Sequence, residues 1–381
     1  MRELSFPCPC EFDVPLREKT YYRIGGVADR CALPERVRHL ADLLLWNRER
    51  RLPLAVMGSG SNMLFSDEQF SGVLLAMERM NRMFWISSEE LFCEAGVDNS
   101  DVAVELLGKG RSGGEWLYRL PGRIGSTVRM NARCFGGEIS AVTGSVVTIR
   151  LDGTIRWWSG REIFLGYKQT SLMESREIVL AAVLRFPLEK PVEAIRREMS
   201  RCEKERLDRH HFDFPSCGST FRNNYEAGRP SGTIFEELGF KGRRRGGAVV
   251  SEHHANFIYN TGSASSGDVL ALAAAMKREA REKAGVDLDL EMECAGLFPN
   301  AELEACGVVS VRSGLDRSKG WAGLLWHPGE TVPGTPPEKG FPRTLVQGCL
   351  CRYCSGEHDF PPDIGVCQRS EERRVGKECR S

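Results

Sequence analysis

The run PERVRHLADLLLWNRER places apolar residues at Val37, Leu40 and Leu44, three and four positions apart. That spacing predicts an amphipathic helix, with Pro34 suited to its first turn. LPLAVMGSGSNMLF follows as a short buried strand that breaks into a Gly/Ser turn. From about Arg82 to Pro187 the pattern shortens to alternating or apolar runs such as SVVTIRLDGTIRWW, where Asp152-Gly153 predicts a two-residue hairpin turn. A basic, helical-looking stretch, PVEAIRREMSRCEKERLDRHH, then leads into PSCGSTFRNN. The clearest helix is GDVLALAAAMKREAREKAG, with Asp268 near its start, Val269, Leu272 and Met276 on one face, and Gly285 as its stop. VDLDLEMECAG alternates as a strand should, with Asp287, Asp289, Glu291 and Glu293 on one face, by itself a solvated acidic surface. A β-rich middle between mixed ends predicts an α+β fold without internal repeats.

After about Asn300 the period fades into a stretch dense in Gly, Pro, Arg and Trp. That composition predicts a disordered or non-native tail over 301–381. The preceding chain divides into 1–80, 81–190 and 191–300. With 381 residues there is room for this many cores. Charge adds an exclusion: 52 basic and 52 acidic residues cancel, so nothing points to nucleic acid or an anionic membrane. No apolar run reaches the roughly 20 residues of a membrane span. The start, MRELSFPCPCEFDVP, lacks the apolar centre of a signal peptide. A cytoplasmic protein is expected.

The fourteen cysteines are mostly scattered singly and read as small buried hydrophobes. Cys8-Pro9-Cys10 lacks the two-residue spacer of a redox pair. Cys349, Cys351, Cys354 and His358 have a spacing that could hold zinc, but their surroundings favour chance, and no metal site is expected. His253 and His254 are adjacent, so their side chains should point apart. Cys217, two residues before Ser219, invites a reading as a nucleophile that needs further support.

Two glycine-rich loops change the picture. In the first, Gly58, Ser59, Gly60, Ser61, Asn62 and Met63 end a buried strand, and small residues there let backbone N–H groups converge on an anion such as pyrophosphate. It is not the dinucleotide fingerprint, which would need glycine at Met63. In the second, Pro121, Gly122, Gly125 and Ser126 precede Asn131 and Ala132. Two such loops suit a pyrophosphate gripped from two sides, and structural turns are the alternative. Tyr167-Lys168 then sets a cation beside an aromatic ring, suited to a carboxylate or a developing enolate, or simply to a surface strand.

Taken in order, YRIGGVAD, MGSGSN with Asp67, LPGRIGSTVRMNARCFG, YKQT, CGSTFRNN, GTIFEELGFKG, GGAVVSEHHANFIYN and LDLEME resemble the UDP-N-acetylenolpyruvoylglucosamine reductase (MurB) family from Tyr22 to Gly296. The resemblance implies a two-part FAD-binding unit of the vanillyl-alcohol-oxidase (PCMH) type plus a substrate-binding domain. The short gap after Tyr167 implies the subclass without an extra substrate loop. It further implies that NADPH reduces FAD and that hydride passes to UDP-N-acetylglucosamine enolpyruvate, giving UDP-N-acetylmuramate. By position Ser219 is the proton donor, Lys168 fills the site of the usual arginine and Glu291 is the acidic partner. Tyr167 and Asn223 are implied substrate contacts, and both glycine loops hold flavin. Ser126 stands where glycine is usual, and the arginines of KGRRRGG could add grip on the substrate phosphates. A monomer is expected. Two other readings remain: an oxidase or dehydrogenase of the same flavin fold, although GSGSN lacks the His or Cys that tethers flavin covalently in such relatives, and an inactive product of a damaged gene.

Overall fold

The computed structural model describes residues 6–308, 321–323 and 325. The Cys349–His358 cluster and most of the predicted tail lie outside the described residues.

The helix read from Val37, Leu40 and Leu44 spans Val37–Arg50. It begins three residues after Pro34, with Arg36 as N-cap, and ends in a left-handed Arg51. Its apolar stripe packs on a four-stranded sheet ordered Cys10–Pro15, Val27–Ala32, Phe70–Ala76, Leu54–Met57. The first pair is antiparallel and the other two are parallel.

The second unit is a five-stranded antiparallel sheet ordered Ile155–Ser159, Thr143–Ile149, Ile178–Arg185, Glu90–Glu94, Met83–Trp85. Ile178–Arg185 sits at its centre and is buried along seven consecutive residues, which explains its unbroken apolar sequence. The hairpin at Asp152-Gly153 exists, but its turn is longer than two residues. Arg150 and Thr154 still pair, Gly153 takes φ +86°, and the N–H of Thr154 donates to Asp152 Oδ1 at 2.8 Å. One helix lies beyond the expected boundary at 190 yet packs on the second unit. Val192–Asp208 buries Ile195, Met199 and Cys202 in the core of the second unit, and its buried Arg206 donates to the Trp116 carbonyl at 2.9 Å.

The third core gathers the helices Ser231–Glu237 and Ser266–Ala284 with the small sheet Arg244–Arg245, Ala248–Val250, Ile258–Asn260. Ser265 and Asp268 form a reciprocal cap on the long helix, and Gly285 closes it at φ +67°. The predicted strand is shorter than its alternation suggested. Only Glu293–Leu297 is strand, and it pairs in parallel with Met63–Phe65 of the first unit. Residues 286–292 stay irregular apart from a bridge between Phe221 and Leu290. The fold also runs past the expected edge at 300. Asn300–Ala305 is helical with Leu303 and Cys306 buried, and Trp321–Ala322 adds an antiparallel strand to Glu293–Leu297.

Tyr22 explains why the first and third units hold together. It is fully buried, its hydroxyl donates to the Ile258 carbonyl at 2.9 Å, and its own carbonyl accepts from Asn260 at 3.0 Å. Asp67 makes a second tie: its carboxylate accepts from Ser266 N–H at 2.7 Å and Ser266 Oγ at 2.9 Å. Among the described residues no helix is long and apolar enough to cross a membrane.

Candidate active site

The two glycine-rich loops meet. A Cβ on Gly58 would come within 2.9 Å of Ser126 Oγ, so glycine is what allows the approach. Gly60 takes φ +65°, the left-handed conformation glycine accepts without cost. Ser61 Oγ donates across to the Pro121 carbonyl at 3.1 Å, and Asn62 Nδ2 donates to the Glu291 carbonyl at 2.9 Å. In the second loop Gly122 packs on Asn99 and Gly125 on Ala95, each too close for a side chain. Ser126 folds back on its own turn, its hydroxyl donating to the Arg123 carbonyl at 2.8 Å. The N–H of Ala132 donates to the Thr127 carbonyl at 3.0 Å, which shapes the exit.

These loops fit a bound flavin nucleotide. Ser59 Oγ and Asn131 Oδ1, one on each loop, are buried and lack any partner among the described residues. A buried polar atom without a partner costs about 1–3 kcal/mol, so two of them on facing loops suit a polar ligand. Asn131 is held for that role. Its Nδ2 donates to Glu138 at 2.9 Å and to the Gly166 carbonyl at 2.8 Å, leaving Oδ1 over. The backbone N–H groups of Gly-rich turns would complete a pyrophosphate cradle.

Beside the loops lies a charged pair. Lys168 occupies the turn between Phe164–Gly166 and Gln169–Thr170 with φ +53°, and its Nζ sits 2.5 Å from Glu291 Oε1. Their side chains are 13% and 12% exposed, so the pair is shielded from solvent screening. The acidic alternation is therefore not one solvated face. Asp287 and Asp289 pair with Lys277, Glu293 pairs with Arg129 at 2.6 Å, and Glu291 turns inward to Lys168. Irregular backbone over 286–292 breaks the period that would have kept them together.

Ser219 lies on a segment tied to the backbone of Glu291. Gly218 turns at φ +76°, Ser219 bridges Phe257, and the Thr220 carbonyl accepts the N–H of Glu291 at 2.8 Å. Asn256 clamps the segment, exchanging side-chain hydrogen bonds with both backbone groups of Phe221. Ser219 is partly buried, and its hydroxyl has no hydrogen-bond partner among the described residues. Cys217 is not part of this chemistry: it is buried in the third core, and burial raises its thiol far above the ordinary range.

Tyr167 stands at the mouth. Burial, then the Glu291 carboxylate and Tyr225, push its phenol up to about 12. The Arg133 guanidinium lies 5.3 Å from its ring centroid, and Tyr225 meets it edge-on at 4.8 Å. Asn223 is partly committed, since its Oδ1 accepts the N–H of Ser231 at 2.9 Å. The arginines of KGRRRGG divide: Arg243 is held by Glu279 at 2.6 Å and stacks over Phe240, a packing role, while Arg244 and Arg245 are exposed. Sequence reasoning missed Tyr225, Arg133, Arg129 and Asn256. None carries a local signal, because each acts only through a contact made by the fold.

A model of an FAD binding domain matches residues 28–159. A model of the C-terminal domain of UDP-N-acetylenolpyruvoylglucosamine reductase matches residues 210–295. The reductase of Syntrophomonas wolfei is 34% identical over 282 residues, 74% of this chain and 93% of the relative. The chain belongs to the UDP-N-acetylenolpyruvoylglucosamine reductase family. The Thermotoga maritima reductase agrees, at 35% identity over 72% of this chain and 94% of its own. The crystal structure of the MurB reductase from Thermus caldophilus superposes with TM-score 0.63 at 28% identity, covering 75% of this chain and 98% of that one. The fold is thus a two-part FAD-binding unit followed by the family's C-terminal domain, and the chain is an oxidoreductase of that family.

Proposed function

We propose that the chain reduces the enolpyruvyl ether of UDP-N-acetylglucosamine enolpyruvate to UDP-N-acetylmuramate, a step in peptidoglycan precursor synthesis. In this reading it works in the cytoplasm as a monomer and draws its electrons from NADPH. The observation that carries the reading is the shielded Lys168–Glu291 pair, whose Glu291 backbone is bonded both to Asn62 of the first glycine loop and to Thr220, the residue after Ser219.

Gly58–Met63 and Pro121–Ala132 would hold FAD, with Ser59 and Asn131 supplying their free polar atoms. When bound, FAD supplies the two-electron carriage between NADPH and the substrate's methylene carbon. The chain's residues manage the charge that results. Negative charge develops on the carbon beside the substrate carboxylate and spreads into it, and Lys168 offsets that charge in a shielded site where the interaction is stronger than in water. Glu291 fixes the ammonium in place at 2.5 Å. Ser219 gives its proton to the same carbon, which its half-exposed position allows the substrate to reach. A serine of ordinary acidity can do this because the carbanion is a far stronger base than an alkoxide. Tyr167 and the free amide nitrogen of Asn223 would contact substrate, with Tyr225 beside them. The short path from Thr170 to Ile178 holds one turn of helix, which suits the subclass without an extra substrate loop.

The test is anaerobic mixing of NADPH-reduced protein with UDP-N-acetylglucosamine enolpyruvate. The oxidised flavin band should return with formation of UDP-N-acetylmuramate. If the flavin stays reduced, the assignment fails.

A further inference from the structure

Adjacent histidines could not build a metal site by themselves, and His253 and His254 do diverge: His253 stacks on His210, while His254 meets His211. That divergence brings in a second segment. Among the described residues, the ligand atoms of His210, Asp213 and His253 all lie within 4.8 Å of one another. We propose that His210, Asp213 and His253 form a binding site for a borderline divalent transition cation, such as Zn²⁺, Ni²⁺ or Co²⁺, separate from the reductase site.

Two neutral imidazoles and one carboxylate carry net charge −1, and nitrogen with hard oxygen suits these cations better than Mg²⁺ or Ca²⁺. The ligands stand on fixed backbone. His210 follows the helix Val192–Asp208 in a left-handed conformation at φ +59°, and its carbonyl accepts the Tyr259 hydroxyl at 2.5 Å. The N–H of His253 is held by Ser251 Oγ at 3.1 Å. Asp213 Oδ2 already meets His210 Nδ1 at 2.7 Å. The neighbouring cation Arg209 is turned away and pairs with Glu205, so it does not compete for Asp213. The two rings lie 3.6 Å apart with 13° between their planes. A metal with bonds of about 2.1 Å needs donors about 3.4 Å apart, so rotation of the exposed His253 ring must bring its nitrogen in. Three protein ligands leave a fourth position for water. A bound cation would staple the segment before Ser219 to the loop after Ala248–Val250.

Titration of the full-length chain with Co²⁺, following bound equivalents and the visible ligand-field spectrum, tests the site. Free cysteines elsewhere will take some metal, so the informative quantity is a difference. His253→Ala and Asp213→Asn should each lose one equivalent, or bind it at least tenfold more weakly, with loss of a band that lacks thiolate charge transfer. His39→Ala, outside the cluster, should lose nothing. Added Co²⁺ should also raise the Tm of the parent chain more than that of either cluster variant. Equal stoichiometry, spectra and Tm shifts in parent, His253→Ala and Asp213→Asn would overturn the site. Both variants alter exposed side chains, so circular dichroism will confirm that each is folded.

Discussion

On the proposed mechanism, replacing Ser219 by alanine separates proton donation from everything else the site does. The residue is partly buried and its hydroxyl has no hydrogen-bond partner among the described residues, so its removal orphans nothing, and Cβ is kept. Stability should change by less than about 0.5 kcal/mol. A positioned general acid contributes about 10²–10⁴ in rate. At 1.36 kcal/mol per tenfold, that is about 2.7–5.4 kcal/mol of barrier. The neighbouring structure predicts where this loss falls. Gly218, Thr220 and Asn256 hold the backbone without help from the Ser219 side chain, and the glycine loops are untouched. Flavin content and its reduction by NADPH should therefore stay within about twofold, while reoxidation by substrate slows by about 10²–10⁴. Anaerobic stopped-flow absorbance measures the two half-reactions separately. Equal slowing of both, or reoxidation at the parent rate, would refute the assignment of Ser219 as the acid.

Lys168→Arg keeps the charge beside Glu291 and adds a planar fork, so turnover should hold within about threefold or rise. Lys168→Met strands a shielded carboxylate and should cost about 3–5 kcal/mol, measured by denaturant unfolding; a loss under about 1 kcal/mol would mean the pair is effectively solvated. For Tyr167, the folded value near 12 lies above the unperturbed 10.0, so its contribution to stability is complete below pH 10 and fades as pH rises toward 12. The phenol therefore stays protonated from pH 7 to 10, and Tyr167→Phe should leave the shape of the pH–rate profile unchanged in that range. A basic limb that disappears in the variant would contradict this. Asp67→Ala removes two hydrogen bonds to Ser266 and should destabilise by about 1 kcal/mol, read as a Tm lower by a few degrees. An unchanged Tm would show that the tie between the first and third units contributes nothing.

What could be read from the sequence depended on whether the responsible force is local. The helix Ser266–Ala284 was legible in its apolar stripe and its stop at Gly285, which are local signals, while its N-cap Ser265 lies just before the stretch read as helical. The glycine loops were legible as loops, since only glycine tolerates the close approaches found at Gly58 and Gly125. Glu291 shows where such reading ends. Alternation placed it with Asp287, Asp289 and Glu293 on one wet face, and period alone gives no reason to single it out. Resemblance to the family did, and the geometry supplies the cause. The N–H of Glu291 is spent on the Thr220 carbonyl and its own carbonyl accepts from Asn62, so two segments distant in sequence pull this residue out of strand register and into the site. The same argument covers Lys168, whose left-handed backbone is imposed by a tight turn, and Tyr225, which matters only because Tyr167 lies across from it. The residues proposed to carry the chemistry therefore sit at positions where long-range contacts override local pattern. Disrupting those contacts should damage catalysis as surely as changing the reacting groups. Asn62→Ala removes the donor to the Glu291 carbonyl from the first glycine loop, and reoxidation of the reduced flavin by substrate should slow in that variant.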